Sequence, residues 1–436
     1  MLILLSCVPL DTKSDLDVVP AGDTAAFVAR WTSLVSGPSQ LEVRFDDETL
    51  TFSDPTPTDT HELLIVGVPP RTVAEVAVIE DGAAGGSAVL ETPALPSWAP
   101  DLDVAVDDPA LQASGLTLVP LVLDAPAGVL LIDGRGRPVW AWPPVDGTEL
   151  ATRARLSLDG RHILFNAAAP NADDPGLIQR VSLADGTAET VMINGLHLDF
   201  AEYTDGGYLG LSWEIRELEG RRILADTVVE RDPSGAERVV WSAWDWFEPD
   251  LTRAWPRSYP ADLDVEDWTH INGLSYDPVE DAVYLTMTFN NGVAKLDRAS
   301  GELLWVVADQ YGNVRPTTPG LVELPHSAER TDTGDVLVFN RGDLSDVSTG
   351  SAWVVEIDVD TSAGTASEIW SYEPPDPLVV GFLGSAARLD NGNTLISWSS
   401  AGRLEEVTAD GEVALQLGTA LGSAFGFASR IPAFGQ

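Results

Sequence analysis

Apolar and polar residues alternate in short runs along the whole chain, the period of strands with one buried face, and turn-forming clusters separate the runs. In the first hundred residues these runs are "AAFVARWTS", "LEVRFDD", "HELLIVGV" and "VAEVAVIE", divided by Gly, Pro, Ser and Asp. Beyond residue 113 a longer unit recurs: an apolar lead, an Asp/Asn-Gly-type turn and a β-rich run, as in "RLSLDGRHILFN", "FAEYTDGGYLGLS", "LSYDPVEDAVYLTM", "AERTDTGDVLVFN" and "AARLDNGNTLISW". Several units continue into a strand that ends on Trp, such as "LIDGRGRPVWAW" and "KLDRASGELLWVV". With 38 Gly and 30 Pro to supply turns, long helices are not expected.

A unit of stacked hairpins cannot cover its own apolar face, and packing such units radially buries both faces while leaving only short edges. The fold class expected is therefore all-β, a six-bladed β-propeller over residues 113–436. Five blades follow from the turns; the sixth requires "GVLLIDGRGRPVW" to join C-terminal strands such as "GEVALQLG" and "GFASRIP". Residues 14–95 read as a small antiparallel β-sandwich of immunoglobulin or fibronectin III type, and 96–112, within a proline-bearing stretch, as a linker.

Composition removes several classes of partner. A net charge of −43 repels nucleic acid and anionic lipid surfaces, and the acidic pairs, for example Asp46-Asp47 and Asp173-Asp174, are scattered as on a solvated surface. Their spacing is not that of a calcium loop. Cys7 is the sole cysteine, so no intrachain disulfide forms; following "MLILLS" it resembles the lipidation site of a bacterial lipoprotein signal. Residues 1–13 are accordingly expected to act as an export signal, the mature protein to be periplasmic or at the cell surface, and membrane contact to run through a lipid anchor on Cys7. No later stretch approaches the ~20 apolar residues that span a bilayer.

Five histidines are few enough to place one by one. His61 lies beside a strand of the first module and His162 follows its turn in a second strand, both structural readings. His197, His270 and His326 each stand eight to eleven residues ahead of the turn of their unit, at the entrance to its first strand. In a propeller that strand is innermost, so the three imidazoles, ~130 residues apart along the chain, are expected to converge at the mouth of the central channel.

Taken together, "HLDFAEYTDGGYL", "DWTHINGLSYDPVEDAVYL", "PHSAERTDTGDVLVFNRG" and "GSAARLDNGNTLISW" resemble the arylsulfate sulfotransferases, six-bladed propeller enzymes of bacteria, over residues 125–436. The resemblance implies transfer of a sulfuryl group from a phenolic sulfate ester to a phenol, without a nucleotide donor, through a sulfohistidine. It matches His326 to the histidine that is transiently sulfated, and His197 and His270 to those that bind sulfate and handle protons. The chemistry agrees: three anionic oxygens shield the sulfur, so attack needs a neutral nucleophile and donors on those oxygens, and imidazole serves both needs.

The resemblance also marks a departure. Thr288 in "LTMTFN" stands where the family carries an arginine, so a fixed cation is missing from the expected place. Arg341 and Arg388 are the candidates to replace it, and Asn272, Thr288, Arg341 and Arg388 are the expected substrate-binding residues. Trp241, Trp244, Trp246, Phe247 and Trp255 either wall a pocket for a phenolic ring or pack a loop onto the propeller. No phosphate loop, zinc spacing or nucleophile elbow is present, so no cofactor and no metal are expected. The rival reading, favoured by loss of the arginine, is a non-catalytic surface-anchored propeller that binds a small anion or a partner protein.

Overall fold

The computed structural model describes residues 15–22, 24–80, 83–122, 128–143, 151–167, 175–252, 254–256, 264–342, 351–419 and 423–434; Cys7 and its signal-like flank, Asp173-Asp174 and Asp343 lie outside the described residues. The described chain is all-β, with a single α-helical turn at Ala243–Trp246. Its N-terminal strands, Leu16–Pro20, Phe27–Phe45, Glu48–Ile65, Val73–Glu80 and Ala83–Glu91, form one hydrogen-bonded sheet. The 19-residue second strand loses register between Thr32 and Ser39. Before that break it pairs with Leu16–Pro20, and after it with Val73–Glu80. Phe27 and Trp31 from one half meet Leu41 and Val43 from the other in a single core with Phe52, Ile65 and Val76. The irregularity thus folds one sheet over itself where the alternation alone suggested two. His61 belongs to this module, stacked on Trp31 at 4.9 Å with Nδ1 2.8 Å from Asp54 Oδ2.

Six further sheets follow in the described residues. Sheet I combines Leu116–Val122, Gly128–Ile132 and Pro138–Trp142 with the C-terminal strands Ala424–Phe425 and Ser429–Ile431. Sheets II to VI begin with Ala154–Leu156, Phe200–Thr204, Ile271–Asp277, Pro325–Arg330 and Ser385–Arg388, and in each the Asp/Asn-Gly-type turn leads to the second strand. Of the two C-terminal segments expected in sheet I, only "GFASRIP" supplies it. "GEVALQLG" forms Val413–Gly418 in sheet VI, paired with Arg403–Val407 on one side and Asp103–Asp107 on the other. Residues 103–107 fall in the stretch read as a linker, but their DVAVD alternation makes an edge strand.

Side chains and backbone stitch the first strands into a closed series. Arg153, at the start of sheet II, donates from Nε and Nη2 to Asp199 of sheet III, each at 2.9 Å. Asp199 also accepts from the backbone N–H of Leu274 in sheet IV at 2.9 Å. Ser275 donates to the Ala328 carbonyl of sheet V at 2.6 Å, Ser327 accepts from the Ala386 N–H of sheet VI at 3.2 Å, and Ser385 accepts from the Ala428 N–H of sheet I at 3.1 Å. A parallel bridge between Phe427 and Arg153 returns to sheet II. Sheets IV and V approach so closely that a Cβ on Gly273 would stand 2.6 Å from the His326 carbonyl oxygen, which is why this position carries no side chain.

The N-terminal module is fastened to this series. Glu48 accepts from Nη1 and Nη2 of Arg137 at 2.7 and 2.9 Å, and Ala21, Val28 and Val66 share a core with Leu118, Val139 and Phe165.

Asp199 is fully buried and satisfied by donors from three sheets, so its removal leaves the Arg153 guanidinium, which is 2% exposed, with Glu329 at 3.8 Å as its remaining carboxylate among the described residues. Breaking a buried pair of this kind typically costs about 3–5 kcal/mol. Asp199→Ala is expected to lose that much in urea unfolding of the whole chain, and a loss below about 1 kcal/mol would show that the ring is not held there.

Candidate functional site

Four of the first strands are entered through a non-glycine residue in the left-handed region: Leu198 (φ 54°), His270 (φ 47°), Leu324 (φ 43°) and Leu383 (φ 54°). A side chain adopts this backbone at a cost of about 1–2 kcal/mol, and its recurrence marks a shared turn that aims the chain into the ring. Aligned on the acidic residues that follow, Asp205, Asp277 and Asp332, the three histidines stand at successive positions: His197 eight residues before, His270 seven and His326 six. Neighbouring positions on extended backbone face different ways. Similar spacing therefore does not give the three imidazoles one direction.

His326 is 3% exposed and its ring lies 5.1 Å from that of Phe427. Burial first, then the charges of Arg341, His270 and Arg153, holds the imidazole well below the ordinary histidine value, while a backbone hydrogen bond with Gly384 works the other way. It is neutral at pH 7, and its Nδ1 is buried without a hydrogen-bond partner among the described residues.

His270 stands beside it as the more open imidazole, with its side chain 30% exposed and its ring stacked on Phe289 at 4.5 Å. Asp267 takes the His270 backbone N–H on Oδ1 at 3.0 Å and lies 2.8 Å from ring Nδ1 through Oδ2. This contact assigns the proton to Nδ1, leaving Nε2 to exchange a proton with whatever enters.

His197 does not join them. It is 3% exposed and lies against Trp213, with Nδ1 3.1 Å from the Gly195 carbonyl and Nε2 2.9 Å from Asp226 Oδ1. Both nitrogens are occupied by its own chain, which corrects the expectation that it touches substrate. Its influence passes through Asp226, whose Oδ2 accepts from the Thr269 hydroxyl at 2.5 Å and the Ile271 N–H at 2.7 Å. Those residues flank His270 on either side.

The cations divide in the same way. Arg341 follows the second strand of sheet V, is 8% exposed, and donates from Nη1 to the Gly381 carbonyl at 2.9 Å. Burial pulls its guanidinium down to about 10, so it still carries charge at neutral pH. Among the described residues no carboxylate pairs with it and its Nε has no partner. Arg388, by contrast, donates to Glu356 Oε2 and to Thr394 Oγ1 and lies over the Trp370 ring at 4.6 Å, a packing and ion-pair role. Thr288 is fully buried and spends its hydroxyl on the Pro325 carbonyl at 2.7 Å, bracing the residue before His326. Asn272 is fully buried and accepts from Thr286 Oγ1 at 3.2 Å. The Thr288 hydroxyl is thereby spent, whereas Nδ2 of Asn272 is buried without a hydrogen-bond partner among the described residues.

Sequence reasoning missed Arg153, which is held over the Phe427 ring at 4.1 Å and contributes positive charge at His326. It also missed Asp226, and it quoted Asp267 in "DWTHIN" without assigning it a task. The i, i+3 spacing of Asp267 and His270 was a usable signal; nothing local singles out Arg153 or Asp226. Of the aromatic run, Trp241 is buried with its ring edge-on to Phe247 at 6.3 Å, and Trp244 packs on Trp268 at 5.5 Å. The Trp255 side chain lies outside the described residues.

Three comparisons with known proteins bear on this arrangement. A solved structure of a protein of unknown function from Bacteroides caccae is 15% identical, covering 72% of this chain and 98% of its own, with a TM-score of 0.42. The β-propeller domain of Cps50 (Swd1) from Myceliophteria thermophila is 11% identical over 73% of this chain and 90% of its own, at 0.42, and streptogramin B lyase is 12% identical over 73% and 87%, at 0.40. At these identities and scores the likenesses carry no functional weight. No match is found among curated proteins. The family model described as Arylsulfotransferase (ASST) matches residues 176–416, more than half of the chain and the span that holds His197, His270, His326 and Arg341. On that match the chain belongs to the arylsulfotransferase family.

Proposed function

We propose that this protein transfers a sulfuryl group from a phenolic sulfate ester to a phenol, with His326 as the nucleophile. The observation that carries the reading is a neutral imidazole at His326 beside two cations, Arg341, which has no carboxylate partner among the described residues, and Arg153, which is paired with Asp199, with the Asp267-held His270 next to it. The reading takes the six sheets as the blades of a propeller and residues 14–95 as an immunoglobulin or fibronectin III-like module. It also takes the protein as exported and anchored through a lipid on Cys7.

In the first half-reaction the His326 Nδ1 lone pair attacks sulfur as the S–O bond to the aryl group breaks. The bonding pair leaves on the phenolic oxygen, which takes a proton from His270 Nε2. Arg341 donates to the sulfuryl oxygens, supplying the charge that Thr288 cannot. In the second half the acceptor phenol gives its proton to His270 and attacks sulfur, the S–N bond breaks and His326 recovers its lone pair. Nδ1 is covered by packed side chains, so the donor must displace them to reach it. His197 acts as a positioning residue, holding Asp226 so that Thr269 and Ile271 keep His270 in its left-handed backbone.

The direct test is p-nitrophenyl sulfate with and without phenol. Wild type is expected to release nitrophenol continuously only with an acceptor, and His326→Ala not at all; silence from wild type across several aryl sulfates would instead favour a propeller that only binds anions. Single-turnover release of nitrophenol is expected not to fall as pH drops through 6.5, because burial keeps His326 unprotonated below that ordinary value. A fall centred near 6.5 would show that the nucleophile lies elsewhere. His197→Leu is expected to lower kcat about 10–100-fold with KM for the donor little changed, the usual size for partners one step behind a site. His197→Gln, which still donates to Asp226, is expected to recover most of that loss; equal damage in both variants, with KM raised, would place His197 on the substrate.

A further inference from the structure

The C-terminal part of sheet I is broken between Ala424–Phe425 and Ser429–Ile431, and Phe427 lies in the break. Backbone contacts fix its place. Gly426 donates its N–H to the Pro120 carbonyl at 2.8 Å, and Phe427 donates its own to the Thr152 carbonyl at 2.9 Å. A Cβ on Gly426 would stand 2.5 Å from the Thr152 carbonyl oxygen, so only glycine allows this approach. Thr152 and Arg153 are held in turn by Asn166, whose Oδ1 accepts both of their backbone N–H groups, at 3.1 and 2.8 Å. The Phe427 side chain is fully buried and touches two charged or titratable groups at once. The Arg153 guanidinium lies over its ring at 4.1 Å, and the His326 imidazole is tilted against it at 5.1 Å and 59°.

We infer that Phe427 is a positioning residue for His326, a phenyl spacer that holds the imidazole in place and keeps the Arg153 guanidinium from donating to it. This rests on the transfer reading above for the task of His326 as nucleophile. A guanidinium carries five N–H donors and a neutral imidazole one acceptor nitrogen, so the two in contact would form a hydrogen bond that occupies the lone pair needed at sulfur. A phenyl ring has neither donor nor lone pair, while its face attracts the cation. Arg153 spends Nε and Nη2 on Asp199 and stands over Phe427, with Glu329 3.8 Å from its Nη1. Among the described residues no hydrogen bond links it to His326, whose Nδ1 stays without a partner. The ring also fills space that water would otherwise enter. The charged and titratable groups acting on the imidazole are Arg341, His270 and Arg153, all of which disfavour its protonation, as burial does.

Side-chain nitrogen NMR of the full-length protein with labelled histidine tests this without substrate, the His326 signals being identified by their loss in His326→Gln. In wild type the Nδ1 signal is expected at the position of an acceptor with no hydrogen bond, and to stay there as pH drops through the ordinary histidine value of about 6.5. In Phe427→Ala the gap admits water or the guanidinium, and Nδ1 is expected to move upfield as it accepts a hydrogen bond. In Phe427→Leu, which keeps an apolar spacer, the signal is expected to remain. A hydrogen-bonded Nδ1 in wild type, an unmoved signal in Phe427→Ala, or the same shift in Phe427→Leu would each overturn the inference, and the wild-type measurement stands even where a variant fails to fold. In an active enzyme Phe427→Ala is further expected to lower kcat up to about 100-fold with KM for the sulfate ester little changed, and Phe427→Leu to keep most of the wild-type rate; a raised KM with kcat unchanged would place Phe427 on the substrate and overturn the positioning role. Because the nitrogen signals require neither donor nor acceptor, failure of the spacer and failure of the transfer reaction with p-nitrophenyl sulfate read out separately.

Discussion

One carboxylate out of contact with water, Asp199, ties together three sheets whose strands are distant in sequence. Its oxygens accept from the Arg153 guanidinium, from the Phe200 N–H at 2.8 Å and from the Leu274 N–H. A buried charge persists only when its hydrogen-bonding capacity is filled, so Asp199 dictates where the first strands of sheets II, III and IV lie relative to one another. Everything at the site inherits that placement. Arg153 is fixed where its charge reaches His326, and sheet IV is fixed where Gly273 meets the His326 backbone.

A second constraint is the register with which each strand enters. The left-handed turn repeats from sheet to sheet, and a shift of one residue against it changes what a side chain faces. At His270 the residue in the turn itself is the histidine, which leaves its ring partly open and clamped by Asp267. At His326, two residues past the left-handed Leu324, the ring is desolvated and neutral. At His197 it falls one step short and is absorbed by Asp226 and Trp213. In the transfer we propose, three similar residues thereby divide into an exchangeable proton site, a nucleophile and a support. The support reaches the chemistry through Asp226, which holds the backbone on both sides of His270.

Electrostatics at the site run against those of the molecule as a whole. Charge of −43 is spread over the chain, yet the charges acting on His326 are those of arginines and a histidine. Screening over about 8–10 Å in physiological salt hides distant carboxylates, so an anion near Arg341 responds to the local cations.

Alternation of period two, the turns of five units and the Trp-ended strands determined by themselves that the chain would be β throughout and would repeat, because strand periodicity and turn chemistry are local properties. The Asp267-His270 pair was equally local. Tertiary structure alone decided the partnerships that span the chain: "DVAVD" as an edge strand of the sheet formed by residues 385–418, Arg153 on Asp199, and Arg341 beside His326 while Arg388 turns outward to Glu356. It also decided which way each histidine faces. Direction depends on the register at the strand entrance, on which partner fills each buried hydrogen bond, and on how sheets distant in sequence close around an axis; none of these leaves a mark in the pattern of a single segment.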